Sequence, residues 1–228
     1  MGTNNFESVK FIPRGDREFG VTVRKRVNEY FKSNGISKRG DYRIWIKVIV
    51  MPLLFITPFV LIVSNLYNES YFLFYGLWVL MGFGMAGCGL GIMHDACHGA
   101  ISKKESVNHI IGLVLNVAGG SSFNWKIQHN VLHHSFTNID GYDEDIDPSG
   151  VMRFSPHQKH KKIFKYQVYY AWIFYGLMTF FWVTYKDFAS LIRYEKRGLL
   201  KAQNASFNIE LSKLILHKVL YYSIILGL

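Results

Sequence analysis

The sequence predicts an all-α membrane protein in which a transmembrane helical hairpin is followed by helices on the cytoplasmic side. Two apolar runs, residues 44–63 and 71–93, predict the hairpin, because about 20 apolar residues cross a hydrocarbon core. The composition agrees with this class. Half of the 228 residues are hydrophobic and only 18% are charged, against roughly 25% in soluble domains.

The composition also limits the partners and cofactors. A formal net charge of +10 fits nucleic acid or an anionic membrane, and the apolar content disfavours a nucleic-acid partner. Cys88 and Cys97 are the two cysteines of the sequence, which excludes a disulfide framework and a four-cysteine zinc site. A bound metal is therefore expected to have mainly histidine or carboxylate ligands.

The distribution of basic residues predicts the orientation of the hairpin. Ten Lys or Arg and five acids occupy the amino-terminal arm, residues 1–43, which lacks the apolar core of a signal peptide. The turn at residues 64–70 has no Lys or Arg. The positive-inside rule then places the amino terminus and the region after Met93 in the cytoplasm.

Glycines concentrate near the cytoplasmic end of the second span. Small residues let a neighbouring helix approach closely, and Gly87 and Gly91 have the small-xxx-small spacing. We therefore expect tight helix packing rather than a direct chemical role here. The glycines are Gly82, Gly84, Gly87, Gly89 and Gly91.

The remaining chain is predicted to stay largely on the cytoplasmic side. Residues 94–165 are mostly polar, and their apolar run is too short to span. Residues 166–185 are aromatic and aliphatic with basic flanks, which favours an interfacial helix over a third span; residues 186–218 are then a basic cytoplasmic segment. The ten apolar residues 219–228 predict the start of a further span, and hence the amino-terminal part of a longer polypeptide.

Two histidine clusters follow the second span. His94 and His98 are four residues apart and share a helix face, about 40° apart around the axis. His129 and His133 repeat this spacing, while His134 is rotated by about a further 100° and can reach an adjacent ligand position. Imidazole suits iron, copper, zinc or nickel, and one ion or two neighbouring ions fit the pattern.

Acidic residues near the clusters are candidates for orienting the imidazoles, since a metal-bound histidine commonly donates its other ring N–H to a carboxylate. We predict this role for Asp95, Asp143 and Asp145, with a solvated acidic loop as the alternative for the last two. A turn at residues 119–122 precedes the second cluster, and Ser121 or Ser122 is expected to cap its helix. The residues left out of the ligand set are Cys97, His109, His157 and His160.

A histidine-ligated iron at the edge of apolar helices suits attack on an unactivated C–H bond of a long chain. The segments His-Asp-Ala-Cys-His-Gly-Ala, from His94, and His-Asn-Val-Leu-His-His, from His129, resemble the first two histidine boxes of the membrane fatty acid desaturase family. The residues in and around these segments are similar to those of bacterial acyl desaturases of the linoleoyl-CoA or front-end kind.

The resemblance implies a multi-pass protein of the bacterial inner membrane with a di-iron centre that uses dioxygen. It also implies a long-chain acyl substrate, as acyl-CoA or acyl-lipid, and electrons from a separate cytochrome b5 or ferredoxin. The implied iron ligands are His94, His98, His129, His133 and His134.

One feature departs from the family. Its third box contains a His-His pair, which residues 135–228 lack. We therefore expect an incomplete ligand set and no activity from this chain alone. Two alternatives remain: a hydroxylase or monooxygenase of the same di-iron superfamily, and a non-enzymatic membrane protein that binds metal or haem. The absence of His from both predicted spans argues against the second.

Overall fold

The computed structural model describes residues 17–66, 70–147 and 150–227, and these residues form helices and loops without a strand. The predicted all-α class is confirmed. Parts of the predicted arm, of the turn between the spans and of the acidic loop, together with Leu228, lie outside the described residues. The described chain forms two compact units, one ending at Gly112 and the other beginning at Leu113.

The first unit contains the predicted hairpin. Its helices are α1 (Arg17–Ser33), α2 (Tyr42–Val63), α3 (Tyr71–Gly87), the π-helix π1 (Cys88–Met93), α4 (His94–Cys97) and α5 (Glu105–Gly112). Asp41 caps α2 by accepting a hydrogen bond from the Arg43 backbone N–H at 2.9 Å. Ser70 caps α3 in the same way. The starts of α2 and α3 are therefore both determined by the local sequence.

Two described helical runs are long and apolar enough to cross a membrane. Tyr42–Val63 has a mean hydropathy of 2.5 and Tyr71–Cys97 one of 1.6. They contain both predicted spans, and Tyr71–Cys97 continues without a break into the first histidine cluster. The aromatic run around residues 166–185 is not among the described helices that meet this criterion, and its interfacial position stays a prediction.

Close packing of α2 and α3 depends on two glycines. A Cβ atom added at Gly84 would overlap the backbone of Leu54 and Phe55, and one at Gly87 would overlap the Met51 side chain. Gly91 faces open space instead. The contact thus uses Gly84 and Gly87 rather than the Gly87 and Gly91 pair, because π1 begins at Cys88 and changes the helical register between the latter two.

The second unit is a set of shorter helices and one long helix. In chain order they are α6 (Val114–Val117), α7 (Ser122–Lys126), π2 (Ile127–His133), α8 (His134–Phe136), the 3₁₀ turns Glu144–Ile146 and Lys162–Tyr166, α9 (Gln167–Phe181), π3 (Trp182–Lys186), α10 (Asp187–Lys196), α11 (Leu199–Ala202) and α12 (Phe207–Gly227). The boundary predicted at Val219 falls inside α12.

A buried ion pair joins α12 to α10. Lys218 Nζ lies 2.7 Å from Asp187 Oδ2, and their side chains are only 6% and 2% exposed. Lys218 also donates to the carbonyl oxygens of Gly119 and Trp182, while Trp182 Nε1 donates to Asp187 Oδ1 at 3.0 Å. Both charges are therefore compensated by hydrogen bonds, as burial requires.

We predict that Gly84→Ala destabilises the hairpin, because the new methyl group has no room against the α2 backbone. Overpacking of this kind costs about 1–3 kcal/mol. Thermal unfolding of the purified protein in detergent measures the effect.

The matched control is Gly82→Ala, whose methyl group meets open space on the same helix. Helix propensity alone would make this variant slightly more stable. Equal melting temperatures for the two variants would contradict the proposed close packing.

Candidate metal centre

The first histidine cluster lies directly after π1 in the first unit. The rings of His94 and His98 meet edge to face with centroids 4.7 Å apart, and the His98 backbone N–H donates to the His94 carbonyl at 3.1 Å. His94 Nδ1 lies 3.3 Å from Asp95 Oδ1. The structure thus places the predicted pair on one face, with the predicted carboxylate beside it.

Backbone contacts fix the chain just after this pair. The Arg39 guanidinium donates to the Gly99 carbonyl, and the Gly40 N–H donates to the Ala100 carbonyl at 2.9 Å. Asn108 exchanges two hydrogen bonds with the Ser102 backbone, at 2.8 and 2.9 Å. The loop after His98 is therefore tied to the segment before α2 and to α5.

The second cluster starts from a capped helix. Ser121 caps α7 by accepting a hydrogen bond from the Asn124 N–H at 3.2 Å, which confirms one of the two predicted caps. Helix α7 leads without interruption into π2, which carries His129 and His133, and His134 follows at once. The Trp125 ring stacks on His129 with centroids 4.4 Å apart and covers one side of that imidazole.

The three imidazoles of this cluster lie together. His129 and His133 are stacked with centroids 5.2 Å apart, and His134 lies 4.7 Å from the first ring and 5.5 Å from the second. The Nε2 atoms of His129 and His134 are 3.2 Å apart. His134 thus lies beside His129 as expected, and the helix that brings them together is a π-helix, whose i to i+5 turn places residues five apart on one face.

Two carboxylates contact the Nδ1 atoms of His129 and His133. Asp143 is 1% exposed, and its oxygens lie 3.0 and 3.1 Å from His133 Nδ1. Asp145 Oδ2 lies 3.4 Å from Nδ1 of both His129 and His133, and Asp145 Oδ1 accepts from Gln128 Nε2 at 2.6 Å. Asp143 is thus buried against His133, whereas Asp145 is exposed to solvent while it contacts both rings.

Asp143 is stabilised as an anion. Burial by itself would raise its pKa, but the N–H groups of Asn138 and Asp145 and the His133 ring donate to its oxygens and lower the pKa below its ordinary value. The carboxylate therefore accepts the His133 Nδ1–H at neutral pH. With that proton on Nδ1, the lone pair of His133 lies on Nε2.

These donors fit a bound transition metal. One donor atom each from His129, His133 and Asp145 lie within 4.8 Å of one another. Two imidazoles with one carboxylate are a donor set that suits non-haem iron and other transition metals. The chemistry of the donors thus agrees with the iron that the sequence resemblance implies.

Glu144 was not predicted to have a separate role. It lies between Asp143 and Asp145, but its carboxylate binds Arg193, Tyr194 and Arg197 instead of an imidazole. The sequence gives no signal for this choice, because the partners are about 50 residues away and the loop offers several equivalent acids.

A comparison with models of protein families shows to which family this chain belongs. The model of the fatty acid desaturase family matches residues 70–228. This chain belongs to the fatty acid desaturase family. Both histidine clusters and the acidic loop fall inside the matched region.

Several curated desaturases are similar to this desaturase-family chain. The sn-1 linoleoyl-lipid 6-desaturase of Synechocystis sp. is 31% identical over 97% of this chain and 60% of the relative. The acyl-lipid (8-3)-desaturase of Physcomitrium patens is 33% identical over 79% of this chain and 38% of the relative. The chain thus spans roughly half the length of such relatives, and no solved structure matches it.

We predict that Asp143→Asn weakens metal binding about 10- to 100-fold, as loss of a partner to a ligating histidine typically does. The amide cannot provide the anionic acceptor for the His133 Nδ1–H. Anaerobic titration of the purified apoprotein with Co²⁺ measures the change.

Asp140→Asn is the control, since Asp140 is an exposed acid in the same loop. It removes one charge without changing a contact to a histidine. Equal Co²⁺ affinities for the two variants, both still folded, would contradict a metal centre organised by Asp143.

Proposed function

We propose that this chain takes part in the oxygen-dependent desaturation of long-chain acyl groups at a histidine-ligated di-iron centre. The observation that carries the proposal is the set of three imidazoles in and after π2, two of which, His129 and His133, contact Asp145 and Asp143 through Nδ1. Family membership supports this chemistry. Two of the relatives are named for linoleoyl-lipid, which favours an acyl chain carried on a lipid over acyl-CoA.

In this proposal all five clustered histidines are iron ligands: His94, His98, His129, His133 and His134. Bound iron would supply the oxidant from dioxygen that removes hydrogen from an unactivated C–H bond. The chain's own residues select the ring nitrogen. Asp95, Asp145 and Asp143 accept the Nδ1–H groups of His94, His129 and His133, which leaves the Nε2 lone pairs of these three rings for metal.

In this proposal the electrons come from a separate cytochrome b5 or ferredoxin type carrier, as the resemblance to the desaturase family implies. The membrane supplies the acyl substrate. We propose a bacterial inner membrane, with the amino terminus, both histidine clusters and the acidic loop in the cytoplasm. The ten basic residues before the first span support this orientation.

We predict that residues 1–228 alone do not desaturate acyl chains, because five clustered imidazoles are too few for two irons in the family's arrangement. A version that also carries the family's third histidine box should be active and bind about two irons. Expression in a host without the activity, followed by mass spectrometry of its fatty acids, tests both. A hydroxylated product from the extended version would favour the hydroxylase alternative.

In that extended version, His133→Ala should abolish both activity and full iron loading, since an iron ligand is lost. His160→Ala is the control, because His160 is exposed and outside the proposed ligand set. A folded His133→Ala variant with full iron content and full activity would refute the ligand assignment.

The proposed orientation predicts different labelling on the two sides of the hairpin. Asn65 lies just after α2 and Lys159 lies in the region after the histidines, and both are exposed. With Cys88 and Cys97 replaced, an impermeant maleimide should label Asn65→Cys in intact cells. It should label Lys159→Cys only after permeabilisation, and labelling of this variant in intact cells would contradict the topology.

A further inference from the structure

The Glu144 carboxylate accepts four hydrogen bonds, from the side chains of Arg193, Tyr194 and Arg197. Arg193 Nε and Nη2 each donate to it at 2.8 Å, one to each oxygen. The Tyr194 hydroxyl donates to Oε2 at 2.8 Å, and Arg197 Nη1 donates to Oε1 at 3.3 Å. The paired arginine contacts fix both the position and the plane of the carboxylate.

The donors sit on a well-anchored helix. Tyr194 is fully buried and Leu191 is 1% exposed, so this face of α10 has little freedom to move. The ion pair between Asp187 and Lys218 holds the start of the same helix. Burial and the neighbouring Glu144 charge raise the pKa of Tyr194, which keeps its hydroxyl protonated and able to donate.

The backbone around Glu144 is also stiff. Glu144 begins the 3₁₀ turn Glu144–Ile146, and Asp143 caps this turn by accepting from the Asp145 N–H at 3.0 Å. Asp143 and Asp145 are the direct neighbours of Glu144, and both contact the imidazoles. A displacement of Glu144 relative to α10 would therefore displace both carboxylates.

We propose that Glu144, held by Arg193, Tyr194 and Arg197, is a positioning residue of the metal centre, which sets where Asp143 and Asp145 meet His133 and His129. This inference rests on the proposed iron-binding function. In this proposal the three neighbouring acidic residues have different roles. Asp143 and Asp145 orient imidazoles, and Glu144 attaches their loop to α10.

The variant Glu144→Gln tests this role. The amide keeps the size of the side chain but cannot accept from two charged arginine N–H groups as a carboxylate does. We expect Co²⁺ to bind the apoprotein about 10-fold more weakly or worse, the size of loss typical for residues that orient metal ligands. The visible absorption spectrum of bound Co²⁺ should also change, because the ligand geometry changes.

Glu210→Gln is the matched control. Glu210 lies on α12 in the same unit, and its carboxylate is 2.7 Å from Lys213 Nζ. The substitution removes an ion pair of the same charge type, away from the histidines. We expect its Co²⁺ affinity and spectrum to equal those of the unmodified protein.

A double substitution tests whether Glu144 and Arg193 act through one contact. If Glu144 and Arg193 act through one contact, the combined variant Glu144→Gln with Arg193→Gln should lose no more Co²⁺ affinity than Glu144→Gln alone. Should Glu144→Gln fail to fold, Arg197→Gln removes only the longer contact to Glu144 and one to the Gly141 carbonyl. A smaller loss of affinity with a changed spectrum is then expected.

The outcomes distinguish this inference from the proposed function. If the unmodified protein binds no Co²⁺ at its histidines, the iron-binding function itself fails. If it binds Co²⁺ while folded Glu144→Gln, or Arg197→Gln in its place, matches Glu210→Gln in affinity and spectrum, only the positioning role is wrong. A lower melting temperature with unchanged Co²⁺ binding would likewise reduce Glu144 to a structural ion pair.

Discussion

The contact between His133 and the buried carboxylate of Asp143 is the interaction on which the second histidine cluster depends. An ionised carboxylate is costly to bury unless its oxygens are fully engaged. Here the N–H groups of Asn138 and Asp145 and the His133 ring engage them. The loop must fold back on the histidine helix to make these bonds, so the loop structure and the orientation of the imidazole are determined together.

A π-helical segment gives the second cluster a register that an α-helix would not, and another precedes the first cluster. One segment ends directly before His94 and another contains His129 and His133. Such segments are rare in proteins and are frequent at functional sites. In the second cluster the wider turn brings His134 onto the face of His129, so three imidazoles instead of two lie on one side of the helix.

Buried polar contacts connect the second cluster to the rest of its unit. Asn124 Nδ2, in the helix that precedes the histidines, donates to the Asp187 carbonyl at 2.7 Å. The Asp187 side chain in turn pairs with Lys218 of α12. Removing one partner of such a buried pair leaves an uncompensated charge, which is strongly destabilising. Helices α7, α10 and α12 therefore support the site as one framework.

Local patterns in the sequence determined the helical class, the two apolar helices, a serine cap at residue 121 or 122 and the pairing of His94 with His98. Each depends on residues only a few positions apart, within reach of hydropathy, capping and helical spacing. Tertiary structure decided the rest. Asp143, Glu144 and Asp145 are chemically similar neighbours, and only the position of α10, about 50 residues later in the chain, directs Glu144 to Arg193 and leaves the other two for the imidazoles.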